Sequence, residues 1–185
     1  MSRIVTIALT TSIGVFLFVF FTNDAFFDWA FARHQNTLSW AARPLLLLPY
    51  GYFAFRRSLN GVLATVLAIL TSMFWFPEPN SVDPQVTEFL ALERERLEAG
   101  FDAGNLVAIP AVLFFLIGLA AAFWRRSLIW AAMVALSGAV AKVVWSLVVA
   151  PGSGGAIIPF AVGGALALCI GLWIVSRRRG RSEAI

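Results

Sequence analysis

The sequence predicts an all-α, polytopic integral membrane protein: six transmembrane helices, with one extracytoplasmic amphipathic helix between the third and the fourth. Three observations carry this. The 185 residues are 60% hydrophobic and only 13% charged, with a mean hydropathy of +0.84, whereas soluble domains hold about 25% charged residues. The apolar residues fall in runs close to the ~20 that a helix needs to cross hydrocarbon. The one long polar stretch, residues 81–105, gathers Asp83, Glu88, Glu93, Glu95, Glu98 and Asp102 against only Arg94 and Arg96. Fixing that stretch on one side fixes the sidedness of every other loop. The chain reads as a single membrane domain, 1–185, with short loops and no separate soluble domain.

The first crossing spans 4–22, after Arg3. It is longer than the ~7–15-residue core of a secretory signal, and residues 22–26 offer no small-x-small cleavage site, so an uncleaved helix is expected. Residues 23–37 read as a mixed interfacial loop, with Asp24, Asp28, Arg33 and His34 set among Phe26, Phe27, Trp29 and Phe31. The second crossing, 38–55, must include Arg43 near one end, where a long stem reaches the headgroups. Pro44 and Pro49 suggest that it kinks.

Arg56-Arg57-Ser58 turns the chain into the third crossing, 59–77, which closes on Met73-Phe74-Trp75-Phe76-Pro77. The helix expected at 84–99 has clear ends: Asp83 as cap, Pro84 at the first position and Gly100 just past the last turn. At ~100° per residue, Val86, Phe89, Leu90, Leu97 and Phe101 share a face, so it reads as lying on the membrane surface or across the bundle mouth. The fourth crossing is 106–124, the turn Arg125-Arg126-Ser127 leads into the fifth, 128–149, and the glycine-rich loop 151–155 precedes the sixth, 156–175. Arg177, Arg178, Arg179 and Arg181 form a polybasic tail.

With the amino terminus inside, nine basic residues fall on the inner side and Arg33, Arg94 and Arg96 on the outer. That matches the positive-inside rule for six crossings with both termini cytoplasmic, in a membrane of bacterial cytoplasmic type. Trp75 and Trp145 near outer ends, and Trp124, Trp130 and Trp173 near inner ends, make two aromatic belts. Phe55-Arg56-Arg57-Ser58-Leu59 echoes Trp124-Arg125-Arg126-Ser127-Leu128. A parallel repeat of hairpins would explain the echo, but so would two tight basic turns built alike, which is the simpler reading.

Lys142 is the leading functional candidate. It lies about eight residues from the outer end of the fifth crossing, ~12 Å deep at ~1.5 Å per residue, and ionisable residues inside a membrane mark function by default. Ala131, Ala135, Gly138, Lys142 and Ser146 share one helix face, and small residues mark close helix approach. Lys142 is therefore expected to face the bundle, paired with a carboxylate such as Asp24, Asp28 or Glu78 if its role is structural. Lys142, Ser146, Arg43, His34, Arg33 and Asp28 are the candidate lining of an outward-facing polar pocket, suited to an anionic solute; an ordinary interfacial loop is the competing reading.

Glu88, Glu93, Glu95 and Glu98 are the candidate docking surface. Glu93 sits within the apolar face, expected to bend to solvent or pair with Arg96, although Arg43 or Lys142 could also reach it. Gly163, Ala167 and Gly171 suggest a packing stripe on the sixth crossing.

The single cysteine, Cys169, and single histidine, His34, leave no disulfide and no expected metal site. No metalloprotease, nucleophile-elbow or phosphate-loop motif is present, so no cofactor is expected and the reading leans away from an enzyme. Basic residues sit in pairs between apolar runs, which argues against nucleic acid. Two functions remain: small-solute or ion handling through the outer polar site, or an accessory subunit of a larger membrane complex docking through residues 81–105. The expected partners are thus the lipid bilayer, a small-molecule or ion ligand, and a membrane protein.

Overall fold

The computed structural model describes residues 3–100 and 103–182, without the side chains of residues 103 and 173–182. Asp102, the side chain of Trp173 and those of the arginine tail lie outside the described residues. All regular structure among the described residues is helical: α1 Arg3–Thr22, α2 Asp24–His34, α3 Leu38–Phe55, α4 Leu59–Thr71, α5 Pro84–Glu98, α6 Ala103–Trp124, α7 Leu128–Val149 and α8 Ile158–Ser182. Short 3₁₀ turns cover Ser72–Phe74 and Gly154–Ile157. Arg3–Thr22, Gly104–Trp124, Leu128–Val149 and Gly154–Leu172 are long and apolar enough to cross a membrane, and Leu59–Phe74 is apolar but shorter. Large apolar side chains such as Ile4, Phe18, Phe114, Ile129 and Val148 project outward, as suits contact with a bilayer.

Residues 23–37, expected as a loop, are mostly helix. Asn23 caps α2 by accepting from the Phe26 amide, Asp24 lies in its first turn and Arg33 and His34 in its last, which suits the helix dipole. Phe27, Ala30, Phe31 and His34 form its buried stripe at helical spacing. The third apolar run is also shorter than its sequence span, since α4 ends at Thr71 and a single 3₁₀ turn closes the helical stretch at Phe74.

Helix α3 is the hub, packed against α4, α6 and α8, while α7 bridges α6 and α8 and α1 lies at the edge on α4 and α2. Two ends can be distinguished. At one, α2, α5 and the loop before α8 gather around an aromatic cluster that includes Phe20, Phe27, Phe31, Trp40 and Phe89. At the other lie the two arginine turns, and Thr6 Oγ1 donates to Asn60 Oδ1 at 2.6 Å, which brings the start of α1 there too.

The two arginine turns are the same structure. Arg57 and Arg126 take φ of 54° and 58°. In each turn the arginine amide returns to the carbonyl three residues back, Ala54 or Phe123, and the serine amide to that five back, Phe53 or Ala122. This is the Schellman pattern. Ser58 then caps α4 and Ser127 caps α7. The turns also touch reciprocally: Arg57 Nε donates to the Trp124 carbonyl at 3.2 Å, and the Arg126 guanidinium lies 5.4 Å from the Phe55 ring centroid. Aligned on these turns, Tyr50, Ala54 and Val62 correspond to Leu119, Phe123 and Ala131, and all six are buried in one cluster. The likeness is partial: Asn60 and Gly61 are buried, whereas the matching Ile129 and Trp130 are exposed.

Close approach on α8 falls one residue away from the expected stripe. Gly164 is buried against Pro44, whereas Gly163 is exposed with open space around it. Gly171 does face the bundle, against Leu48.

Candidate functional site

Helix α5 packs at the bundle end opposite the arginine turns. Asp83 accepts from the Gln85 amide at 2.8 Å at its start, and Gly100 takes φ of +66° after its end. Asn105 Nδ2 donates to the carbonyls of Arg96 and Gly100 at 2.5 and 2.7 Å, supplying donors where the last turn has none of its own. Val86, Phe89 and Leu90 are buried beneath it, and the Phe89 ring packs 5.4 Å from that of Trp40 on α3. The helix also spans two neighbours by charge. Arg94 bonds Asp28 of α2 at 2.6 Å and Glu98 at 2.7 Å, and these hydrogen bonds raise its pKa further. The Arg96 guanidinium lies 5.4 Å from the Trp145 ring centroid on α7.

One turn in from its end, α5 directs Glu93 to Lys142, with Oε1 and Nζ 3.7 Å apart. The partner of Lys142 is thus neither Asp24, Asp28 nor Glu78, and Glu93 neither turns to solvent nor pairs with Arg96. The side chains remain 45% and 32% exposed, so the pair adds at most about 1 kcal/mol of stability. Lys142 Nζ also stands 5.5 Å from the Phe89 ring centroid. Beside the pair is a cavity of about 30 Å³ lined by Phe89, Glu93, Arg96, Lys142, Trp145 and Ser146, among others. Ser146 is 1% exposed and its Oγ has no hydrogen-bond partner. An orphaned buried hydroxyl costs roughly 1–3 kcal/mol, so it is a group that a ligand or water would satisfy.

Arg43 of α3 flanks the same group and its charge interacts with that of Glu93. His34, at the end of α2, is 2% exposed. Burial, and then the positive charges of Arg43 and Lys142, push its imidazole down to about 2. Its Nδ1 lies 2.7 Å from Ser39 Oγ, which is also 2.7 Å from the Asn36 carbonyl, and Trp40 Nε1 donates to the His34 carbonyl at 3.0 Å. If Ser39 donates to Asn36, then Nδ1–H donates to Ser39, and the imidazole is a fixed neutral wall of the site.

The candidate residues therefore divide. Lys142 and Ser146 line one cavity, with Arg43 and His34 electrostatically adjacent, and Glu93 joins them instead of facing outward. Arg33 is drawn elsewhere: its Nε donates to the Phe74 carbonyl at 3.1 Å and its guanidinium lies 5.0 Å from the Trp29 centroid. Asp28 is occupied by Arg94. Glu88, Glu95 and Glu98 are exposed, with Glu88 reaching toward Gly152. Sequence reasoning missed Ser39, Phe89 and Trp145; the aromatic pairs that seat α5 leave no periodic trace beyond its apolar face. A larger groove of about 400 Å³ runs along α1 between Thr11, Val15, Val19 and Phe26. It holds no ionisable group and lies apart from this cluster. The described residues contain no cluster of three metal-ligating side chains. Comparison with protein-family models, curated proteins and solved structures finds no match.

Proposed function

We propose that the chain crosses the membrane six times and binds a small polar solute or ion from the outer face, beneath α5. In this reading α1, α3, α4 with its 3₁₀ turn, α6, α7 and α8 are the crossings, and α5 is the amphipathic helix over the bundle mouth. Both termini are cytoplasmic. The grouping of the arginine turns at the end opposite α5 supports that sidedness. The observation that carries the function is the loose Lys142–Glu93 pair beside the buried, unpartnered Ser146 hydroxyl. The test is native mass spectrometry of the protein in lipid nanodiscs. A small molecule retained by the wild-type protein and lost in Lys142→Met is expected; equal retention by both would remove Lys142 from the site.

A second reading is an accessory subunit that docks through the acidic helix, and the exposure of Glu88 and Glu95 favours it. It requires a second polypeptide at fixed stoichiometry in the same spectra, lost in the Glu88→Lys, Glu95→Lys double variant.

A further inference from the structure

The Glu93 carboxylate stands where an anionic ligand's own acceptor would. It lies 3.7 Å from Lys142 Nζ on α7, within electrostatic range of Arg43 on α3. Charge-assisted N–H···O bonds are typically ~2.7–2.9 Å, so the Lys142 contact is long and readily exchanged. Among the described residues Lys142 is the cation that Glu93 contacts, and no carboxylate lies within 4 Å of Arg43. The Ser146 hydroxyl adds an unused donor in the adjoining cavity. That cavity, at about 30 Å³, is roughly the share of one water in the liquid. Glu93 itself lines the cavity, so a solute that takes its place gains the room its carboxylate holds.

We propose that the solute is a small monocarboxylate, and that Glu93 is its internal surrogate, which the solute displaces. This rests on reading the cavity as a solute site. The exchange puts one carboxylate in place of another, so the charge around Lys142 and Arg43 is the same before and after. Lys142 therefore stays paired with a carboxylate throughout the exchange. The incoming carboxylate has one oxygen for Lys142 and a second for the Ser146 hydroxyl, both of which line the cavity. Glu93 leaves readily because its side chain is already a third exposed and regains water as it swings out. As it leaves, α5 loses its contact with α7 at Lys142 but keeps Phe89 on Trp40 and Arg94 on Asp28. Opening is therefore local, over the turn that carries Glu93.

The experiment uses the full chain in zwitterionic nanodiscs, with sodium acetate as probe and sodium chloride at equal ionic strength as control. Acetate affinity and backbone hydrogen exchange across residues 84–98 are both read. Acetate, and not chloride, is expected to speed exchange around Glu93. Glu93→Gln should exchange fast without acetate and bind it about tenfold more tightly, the factor for a wild-type site that is open about a tenth of the time. Lys142→Gln should lose acetate binding. Equal acetate affinity in wild type and Glu93→Gln, with binding still lost in Lys142→Gln, would overturn the surrogate role and leave the solute site standing. Failure of Glu93→Gln to bind acetate, while wild-type protein retains a different solute through Lys142, would overturn the carboxylate class. Undiminished acetate binding in Lys142→Gln would remove the site itself.

Discussion

His34 gives the α5 end of the bundle a pH signature. Its folded-state pKa is pushed down to about 2 by burial and by Arg43 and Lys142, while an unfolded histidine titrates near 6.5. Between these values the unfolded chain takes up a proton and the folded one does not, so stability is complete above pH ~6.5 and falls as the pH drops. Thermal unfolding in nanodiscs should show a larger loss between pH 7 and 5 in the wild-type protein than in His34→Gln; parallel profiles would mean that the ring is not held neutral. Gly164 makes a second prediction at this scale. A Cβ there meets the Pro44 ring, so Gly164→Ala should cost about 1–3 kcal/mol. Gly163→Ala, in open space, should cost nothing measurable. The sequence pointed to Gly163 because small residues recur there at helical spacing, but spacing leaves the phase of a helix undetermined when most of its surface is apolar. Lys142 and Ser146 were readable for the opposite reason, as polar groups in an apolar run whose burial has to be explained. Arg33 and Asp28 bond elsewhere, to the Phe74 carbonyl and Arg94, partners too remote in sequence for spacing to reveal.

The helices that could be read most closely were those whose ends carry chemistry. Asp83, Pro84 and Gly100 bound α5 on their own, and Ser58 and Ser127 start α4 and α7. Helix α2 was misread although Asn23, Asp24, Arg33 and His34 supply equally good end signals, because its charges and aromatic rings resemble an interfacial loop in composition. The arginine turns were legible as turns but not as equivalents. What relates them is φ and hydrogen-bond pattern, which a five-residue echo does not contain. The equivalence has a measurable consequence: Ser58→Ala and Ser127→Ala should each lose a similar ~0.5–2 kcal/mol of stability, since each removes the same cap. A large loss in one and none in the other, read by thermal unfolding, would show that the two hairpins carry different loads.

For the whole molecule, everything functional depends on α5 and the arginine turns lying on opposite sides of a bilayer. Helix packing brings α2, α5 and the loop before α8 to one end and both arginine turns to the other, and the carboxylates and arginines divide along the same line. That arrangement places Lys142, Glu93 and Ser146 at the α5 end. The decisive measurement is labelling by a membrane-impermeant maleimide in sealed, right-side-out vesicles, with single cysteines at Glu88, Arg56 or Arg125 in a Cys169→Ala background. Six crossings predict that Glu88→Cys labels in intact vesicles and that Arg56→Cys and Arg125→Cys label only after permeabilisation. Labelling of all three from one side would contradict the six-crossing bundle and the outward-facing site with it.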